Sequence, residues 1–553
     1  MTTEGVASEP GSLTWTSATA QIMCRVCGYE GEATRIATVN SALVDDLDVI
    51  RCRECDSIQL LDSPREFSPD REFIDRYIEL LAGIGTIAES LTVVSPHAVT
   101  RFLDIGCNYP FSLDLARFLY GWDVLGVEPS PAGSRGGREL GVDVRSEYLS
   151  VHSDLGDRFD LILASEVIEH VPDPLEFLQI VRTWLAPGAR VVLTTPAAEI
   201  VDPREDPGLA LLAISPSYHV FLASARGMTM LLVRAGFAHC EVHRDRGTLK
   251  ITAQASGSSF GGPPSGAAVS LEDLDKYYEW RGGLARSRSA LAVGMWTRLL
   301  RLRVARGDFP GADRTRPHLF RAIPAMHGID LRRPASITRN PRFNQNPAWS
   351  VAGSAFALGM AELLGRIRPR KAAEYFLLSE RVSELALSSG KLIDADTMDL
   401  RFQAPFHRAL ALAQFDPAAA VELALNLEDS LAAGYLGSVR LVEGMQCRIF
   451  TEVTSRGAYA QALSLARVVG ATALDVAGDS EPETRRAGLD ALYSLGVSAL
   501  NTTDAAGAAK WFTHCVSACD SGGVSGDAAD LRAIAAQHLA TARARLAAEA
   551  IAA

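Results

Sequence analysis

The chain lacks three features that would place it in a membrane or outside the cell. No stretch approaches the ~18 consecutive apolar residues of a transmembrane helix. The N-terminal segment MTTEGVASEPGSLTWTS has neither the basic residues nor the apolar run of a secretory signal. The nine cysteines are an odd number, and five of them are scattered, which is unlike a secreted disulfide framework. We therefore expect a cytoplasmic protein without a membrane span.

Positive charge is also scarce. Lys and Arg number 54 against 66 Asp and Glu, so the net charge is −12 at pH 7. This argues against a nucleic-acid partner, because phosphates require an excess of basic side chains. The apolar fraction of 48% and the charged fraction of 22% are ordinary for folded protein, and 553 residues suffice for several domains.

Four of the cysteines form two CxxC pairs. Cys24 and Cys27 make the first pair, and Cys52 and Cys55 make the second, with 24 residues between the pairs. A CxxC turn places two thiolates on one edge of a tetrahedron, and a second turn completes a four-cysteine site. We expect the four to bind one structural zinc, since they leave no open coordination position. Free thiols or redox-active pairs are the alternative.

From residue 101, short apolar runs alternate with helical segments. The runs RFLDIG, DVLGVE, FDLILA and ARVVLTTP are typical of buried strands. This alternation predicts a parallel sheet with helices on both faces. After the Gly- and Pro-rich stretch 256–270 the strand signal disappears. The rest is predicted to be helical, except for an irregular, Arg-rich stretch over 307–348.

Three segments of the C-terminal half resemble one another. They begin at 415, 456 and 503, and each has a polar start, a helix rich in small residues and a Gly or polar exit. The spacings of 41 and 47 residues favour stacked helical hairpins, a degenerate tetratricopeptide-like solenoid. A non-repetitive helical bundle is the alternative.

The ends of the first two predicted strands carry candidate ligand-binding residues. Asp104 and Gly106, in RFLDIGCNYP, lie where a glycine lets the backbone approach a ligand closely. Glu128 ends the second strand, 24 residues after Asp104. An acid at that position hydrogen-bonds ribose hydroxyls in nucleotide-binding α/β sheets. We expect Gly106 and Glu128 to converge at one edge of the sheet.

Two longer segments resemble the class I S-adenosylmethionine-dependent methyltransferases in order and spacing, namely FDLILASEVIEHVPDPLEFLQIVRTWLAPGARVVLTTP and YHVFLASARGMTMLLVRAGF. The cysteine pairs look like the zinc-binding module joined to this domain in many bacterial sugar and natural-product methyltransferases. The resemblance covers about 21–255. It implies a Rossmann-like class I methyltransferase sheet and S-adenosylmethionine as the cofactor.

The resemblance also implies a role for individual residues at the cofactor site. The first motif near the methionine moiety contains Asp104 and Gly106, and Asn108 and Pro110 stand where the family usually has further glycines. The remaining cofactor-site residues are Glu128 at the ribose, Glu147 near the adenine, and Ala164, Ser165 and Glu166 on the sulfonium or substrate side.

Two histidines are candidate catalytic bases. His170, in SEVIEHV, follows the fourth strand, and His219, in SPSYHVF, lies in the loop after the fifth. Methyl transfer to oxygen requires a general base or a metal, and transfer to carbon requires a base. The resemblance to sugar methyltransferases favours His219. Either histidine could instead pack against a helix. The neighbouring Glu169 could orient His170 or be a solvated carboxylate.

The chain is thus predicted to contain seven segments: a flexible tail 1–20, a zinc-binding module 21–65, a helical connector 66–98, a methyltransferase domain 99–255, a linker 256–270, a helical and Arg-rich extension 271–348 and an all-α domain 349–553.

The predicted function is O- or C-methylation of a sugar, a nucleotide-linked sugar or a glycan precursor. One alternative is an RNA methyltransferase that uses the zinc module. Another is a non-catalytic scaffold, in which Pro110 stiffens a degenerate cofactor loop. The C-terminal helices are expected to form a substrate lid, a homodimer interface or a surface for a protein partner. Eleven arginines against three acids over 298–342 could hold an anionic substrate or pair with acidic surface elsewhere.

Overall fold

A computed structural model describes residues 12–41, 44–60, 69–205, 207–245, 247–255, 269–337, 348, 350–388, 395–427, 439–521 and 526–552. The chain divides into two compact units, the first of which ends at Leu299 while the second begins at Leu300. Among the helices of the described ranges, none is both long and apolar enough to cross a membrane.

The strands of the described residues form two sheets. Their bounds are β1 Ser12–Met23, β2 Glu30–Ser41, β3 Val44–Arg51, β4 Ile58–Leu60, β5 Arg101–Ile105, β6 Asp123–Val127, β7 Asp143–Arg145, β8 Phe159–Ser165, β9 Leu185–Pro196, β10 Phe221–Leu222, β11 His239–Asp245 and β12 Thr248–Gln254.

The larger sheet has the strand order β11-β12-β9-β8-β5-β6-β7. The strands from β5 to β9 are parallel neighbours, and β12 is antiparallel to β9 and to β11. The four apolar runs of the sequence are β5, β6, β8 and β9. The predicted parallel sheet is therefore confirmed, and the antiparallel strands β12 and β11 extend it.

Helices cover both faces of this sheet and precede it. The first unit contains α1 Arg71–Arg76, a π-helical turn Tyr77–Leu81, α2 Ile84–Ser90, α3 Phe111–Tyr120, α4 Pro131–Leu140, α5 Pro174–Trp184, α6 Pro207–Ile214, α7 Ala225–Arg234, α8 Leu271–Leu284 and the start of α9 Ala290–Ala305, with 3-10 turns at Leu91–Val93, Pro96–Ala98, Ile168–His170 and Ala198–Ile200. Helices α3 and α4 end at Gly121 and Gly141, whose φ values of 69° and 71° allow a left-handed cap.

The smaller sheet, in the order β1-β2-β3-β4-β10, carries the cysteine pairs. Its last strand comes from the methyltransferase-like region, because Phe221 pairs with Gln59 and Leu222 with Ile58. Cys24, Cys52 and Cys55 belong to the same buried core as residues of β5, β8 and β9. The cysteine module and the larger sheet therefore share one core.

The N-terminal segment departs from the predicted flexible tail. Residues 12–20 form most of β1, which pairs antiparallel with β2 from Ser12 opposite Asn40 to Met23 opposite Glu30. Backbone hydrogen bonds to β2 hold this polar stretch in place. Its side chains are exposed or half-buried and add little buried apolar surface. Residues 1–11 lie outside the described residues, as do residues 256–268 of the predicted linker.

The second unit is helical throughout its described residues. It contains the end of α9, α10 Phe309–His327, α11 Pro334–Ile337, α12 Val351–Met360, a π-helical turn Ala361–Gly365, α13 Pro369–Ser388, α14 Ala395–Leu412, α15 Pro417–Leu425, α16 Val439–Ser455, α17 Tyr459–Ala477, α18 Pro482–Asn501, α19 Ala505–Ser521 and α20 Gly526–Ala552. From α12 onward each helix packs against the next. Asp416 and Asp504 cap two of the three similar segments by accepting from the N–H groups of Ala419 and Gly507.

The prediction of irregular structure over 307–348 is wrong for α10. Asp308 caps this helix by accepting from the N–H of Gly311 at 2.9 Å, and Pro310 occupies the first turn, where no intrahelical donor is needed. Buried Leu319 and Ile323 anchor the helix. This packing outweighs the two prolines inside the helix. Residues 338–347 lie outside the described residues.

Candidate active site

The loop after β5 folds over the end of β6. Gly106 has a φ of +68°, and a Cβ at this position would lie 2.5 Å from Cγ2 of Val167, so only glycine fits. Asn108 has a φ of +47°, a conformation that asparagine tolerates better than most residues. Its N–H donates to Oε2 of Glu128 at 2.8 Å. The loop and Glu128 therefore converge, as the sequence predicts.

Glu128 is held in one orientation. Its Oε1 accepts from the N–H of Ser130 at 2.8 Å, its Oε2 accepts from Asn108, and the residue is 8% exposed. Each carboxylate oxygen retains a lone pair. Glu128 can therefore accept hydrogen bonds from the two hydroxyls of a ribose.

Asp104 lies buried beneath this loop and accepts a hydrogen bond from the Ser112 hydroxyl. Burial, with a contribution from the charge of Glu128, raises the pKa of Asp104 to about 7. The pKa of Tyr77 is also raised, by burial first and then by the charge of Asp104. The helical connector therefore brings a phenol close to this carboxyl. The sequence alone gave no sign that Tyr77 lies near Asp104.

Pro110 occupies the N-cap of α3. At this position the N–H that proline lacks would not take part in a hydrogen bond within the helix, so no helical hydrogen bond is lost. Its ring packs against Gly136 of α4, where a Cβ would clash with it. The neighbouring Tyr109 is buried and donates from its hydroxyl to Glu139 at 2.8 Å. Tyr109 is thus a core residue, and Pro110 is compatible with an intact loop.

The end of β8 provides a second group of polar side chains. Ser165 Oγ lies 2.6 Å from Thr194 Oγ1, which donates to Oε1 of Glu166 at 2.9 Å. Glu166 has a φ of +55°, which is a strained conformation for a residue with a side chain. Ala164 is fully buried within β8. Glu147 is half-buried just after β7, at the outer end of the same sheet edge.

Glu169 is buried, which corrects its interpretation as a solvated carboxylate. Its Oε2 accepts from the Thr195 hydroxyl at 3.0 Å, and its Oε1 has no hydrogen-bond partner among the described residues. Burial, with the charge of Glu166, raises the pKa of Glu169 well above its usual value. Sequence reasoning missed this because burial depends on the packing of the turn after β8.

The two candidate histidines lie side by side. Their ring centroids are 4.7 Å apart and their planes are inclined at 75°. His170 Nδ1 lies 2.9 Å from the carbonyl oxygen of Tyr218, and His219 Nδ1 lies 2.7 Å from that of Ala213. A carbonyl oxygen only accepts, so each Nδ1 carries a hydrogen and each Nε2 is left with a lone pair.

The surroundings of both imidazoles favour their neutral forms. Burial and the neighbouring His170 lower the pKa of His219 to about 3, and burial also lowers the pKa of His170. Glu169, His170 and His219 each offer a donor atom, all within 4.8 Å of one another. A carboxylate with two imidazoles is a donor set that also fits a divalent cation.

The four cysteines form a compact cluster. The Sγ atoms of Cys24 and Cys55 are 3.7 Å apart, as are those of Cys27 and Cys52. Four thiolates about 2.3 Å from a tetrahedral zinc are separated by about 3.8 Å, so the cluster fits that ion.

Both cysteine turns have the same backbone conformation. Gly28 N–H donates to the carbonyl of Cys24 at 2.8 Å, and Asp56 N–H donates to that of Cys52 at 3.0 Å. Gly28 and Asp56 both have positive φ, of 77° and 60°. Asp56 therefore takes in the second turn the place that Gly28 has in the first, because aspartate tolerates this conformation better than most residues.

A glycine turn beside a strand-end acid, on a sheet of this strand order, agrees with the resemblance to class I S-adenosylmethionine-dependent methyltransferases. Residues 69–242 match the family model described as a methyltransferase domain.

Curated relatives agree with this assignment. A ubiquinone biosynthesis O-methyltransferase of Cereibacter sphaeroides is 36% identical over 112 residues, which is 19% of this chain and 44% of that protein. The enzyme of the same name from Azorhizobium caulinodans is 37% identical over 102 residues, 17% of this chain and 40% of that one. The chain thus spans less than half the length of these relatives.

Among solved structures, an O-methyltransferase family protein from Burkholderia thailandensis is similar at 14% identity, covering 34% of this chain and 59% of that one, with a TM-score of 0.29.

Proposed function

We propose that this protein transfers the methyl group of S-adenosylmethionine to a hydroxyl oxygen of a small molecule. The observation that carries the proposal is the pair of adjacent histidines, whose Nδ1 atoms contact carbonyl oxygens and whose Nε2 atoms have no hydrogen-bond partner among the described residues, at the same sheet edge as the Gly106 turn and Glu128. The relatives named as O-methyltransferases support oxygen as the accepting atom. Their names refer to ubiquinone biosynthesis, and nothing in them supports the sugar expected from the sequence.

Different residues of the chain bind the cofactor and accept the proton. Glu128 binds the ribose, and the turn from Gly106 to Asn108 meets the methionine moiety. His219 Nε2 accepts the proton of the acceptor hydroxyl as the new O–CH3 bond forms and the S–CH3 bond breaks. S-adenosylhomocysteine is the leaving group. Alignment and deprotonation are the main demands of such an in-line transfer.

A divalent cation is a second means of activating the hydroxyl. Glu169, His170 and His219 would hold it, and it would lower the pKa of the acceptor as a Lewis acid. The four cysteines, in contrast, are proposed to bind a zinc ion that is purely structural, because four thiolates complete its coordination.

Replacing Glu128 tests the cofactor site. Glu128→Ala should weaken S-adenosylhomocysteine binding about 100-fold or more, because it removes two hydrogen bonds to a charged acceptor, each contributing about 1.5–3 kcal/mol. The measurement is calorimetric titration of the folded, zinc-loaded chain. The control, Glu176→Ala, changes an exposed acid on α5. Equal affinity in Glu128→Ala and the unmodified chain would remove Glu128 from the site. No binding by the unmodified chain would favour the scaffold alternative.

Replacing His219 tests the base. His219→Ala should lower turnover about 100-fold, the lower range for a general base, and leave S-adenosylhomocysteine affinity unchanged. Turnover is measured with radiolabelled S-adenosylmethionine against catechols and, separately, nucleotide-linked sugars. His97→Ala is the control, because His97 is exposed and precedes β5 at the opposite sheet edge.

A chelator identifies which means of activation operates. Full activity of the unmodified chain in EDTA, with activity lost in His219→Ala, supports the base. Activity lost in EDTA while the zinc of the cysteine cluster is retained by elemental analysis, and restored by a divalent ion, would replace the base by the cation. Full activity of His219→Ala in EDTA would exclude both roles for His219.

A further inference from the structure

The second unit contains a cavity of about 580 Å3 that has no part in the proposed methyl transfer. We call it the arginine cleft, and its lining includes Asp313, Arg316, Phe320, Arg321, Arg332 and Arg366. Four of these lie on one face of α10, Arg332 precedes α11, and Arg366 follows the π-helical turn. The volume is in the range of small-molecule sites.

The lining of the cleft has an excess of positive charge, with four guanidinium groups and one carboxylate. Asp313 is engaged by Arg366, with Oδ1 2.9 Å from Nη2. Among the described residues, Arg332 has one ion pair, an exposed contact with Asp330 at 3.4 Å. Arg321 has no ion-pair partner within the described part of the chain. Arginines in this arrangement favour an oxyanion, which accepts two hydrogen bonds from each guanidinium.

Arg316 is the buried member of the cleft, at 8% exposure. Its Nη1 donates to Oε1 of Glu362. Its Nε and Nη2 are also buried, yet neither has an acceptor among the described residues. The Nε atom is 3.6 Å from Oδ1 of Asp313, which is beyond hydrogen-bonding distance. Buried N–H groups of folded proteins are nearly always paired, so these two are available to an acceptor in the cleft.

An aromatic ring lies beside these charges. The guanidinium carbons of Arg332 and Arg316 are 5.5 Å and 6.0 Å from the centroid of Phe320. The half-buried ring, with Pro317 one turn earlier, gives the cleft an apolar wall that an inorganic ion would not use. Ile367, directly after Arg366, has a φ of +52° although it is β-branched and exposed. The edge of the cleft therefore contains a strained turn in addition to the N–H groups of Arg316 that are unpaired among the described residues.

From these observations we propose that the arginine cleft binds an organic phosphate. The phosphate oxygens accept from Arg316, Arg321 and Arg332, and the organic part packs against Phe320. Neither the family model, which covers residues 69–242, nor the proposed methyl transfer assigns a ligand to this unit.

The test is calorimetric titration of the full, zinc-loaded chain with uridine diphosphate and, separately, with inorganic pyrophosphate. We expect saturable binding of one uridine diphosphate per chain, tighter than that of pyrophosphate. Arg321→Met and Arg332→Met should each weaken it about tenfold, since each removes charge-assisted hydrogen bonds. Both side chains are exposed, so neither change should disturb folding. The control is Arg314→Met, an exposed arginine of α10 outside the cleft lining.

Titration of the Glu128→Ala variant distinguishes this site from the cofactor site. Binding that persists in Glu128→Ala and is weakened in Arg321→Met belongs to the cleft, whatever the outcome for methyl transfer. The absence of saturable binding would overturn the proposal. Equal affinities of the unmodified chain, Arg321→Met and Arg332→Met would also overturn it. Pyrophosphate binding as tight as that of uridine diphosphate would contradict the proposal that the organic part of the ligand contributes to binding.

Discussion

Removal of the zinc proposed for the cysteine cluster should unfold the smaller sheet and destabilise the first unit. A structural zinc contributes on the order of 10 kcal/mol to folding, because its four ligands are brought together only in the folded chain. Cys24, Cys52 and Cys55 are almost fully buried, so solvent cannot replace the ion. We expect one zinc per chain by elemental analysis. We also expect a loss of β-sheet circular dichroism when a strong chelator removes the zinc.

The effect should extend to the cofactor site because the cluster is tied to the methyltransferase domain. Arg25 Nη1 donates to the carbonyl of Pro172 at 2.7 Å, and the Ser224 hydroxyl donates to that of Cys55. Metal removal should therefore weaken S-adenosylhomocysteine binding as well.

Two half-buried cysteines provide a matched pair of variants for this test. Cys27→Ser removes a ligand, whereas Cys240→Ser changes a thiol of β11 outside the cluster. We expect loss of zinc only in Cys27→Ser. A metal-free chain that stays folded and binds S-adenosylhomocysteine normally would contradict the zinc assignment.

Arg281→Met should lower the free energy of unfolding of the first unit by about 3–5 kcal/mol, the usual effect of removing one partner of a buried ion pair. Asp114 of α3 is 0% exposed, and its Oδ2 accepts from Arg281 Nε at 2.7 Å and from the Tyr277 hydroxyl at 2.8 Å. Both donors lie on α8. The substitution leaves the Asp114 carboxylate buried, and the partners that remain among the described residues are Tyr277 and a half-exposed Arg117.

A double-mutant cycle distinguishes this cause from simple loss of packing. Asp114→Asn combined with Arg281→Met should recover much of the stability, because no unpaired charge then remains buried. Arg288→Met, an exposed arginine just beyond α8, is the control. Hydrogen exchange in α3 and α8 reports the first unit separately from the second. Additive effects of the two substitutions would contradict the ion-pair explanation.

Much of the cofactor site could be predicted because it is local in sequence. Gly106 and Asn108 lie in one turn, and Glu128 ends the next strand of a regular parallel sheet. The strand order then places them together without further information. Tyr77 and Glu169 could not be assigned in this way. Their positions depend on how a connector helix and a short turn pack against the sheet.

The sequence by itself determined the α/β sheet, the helical second half and the spacing of the two cysteine pairs, because each follows from periodicity or from short-range geometry. Only the tertiary structure brought His170 against His219, 49 residues away. It alone also added β10 to the cysteine-bearing sheet and left two N–H groups of Arg316 buried without an acceptor among the described residues. These features come from contacts between distant segments, which depend on the packing of the whole core and leave no periodic signal in the chain.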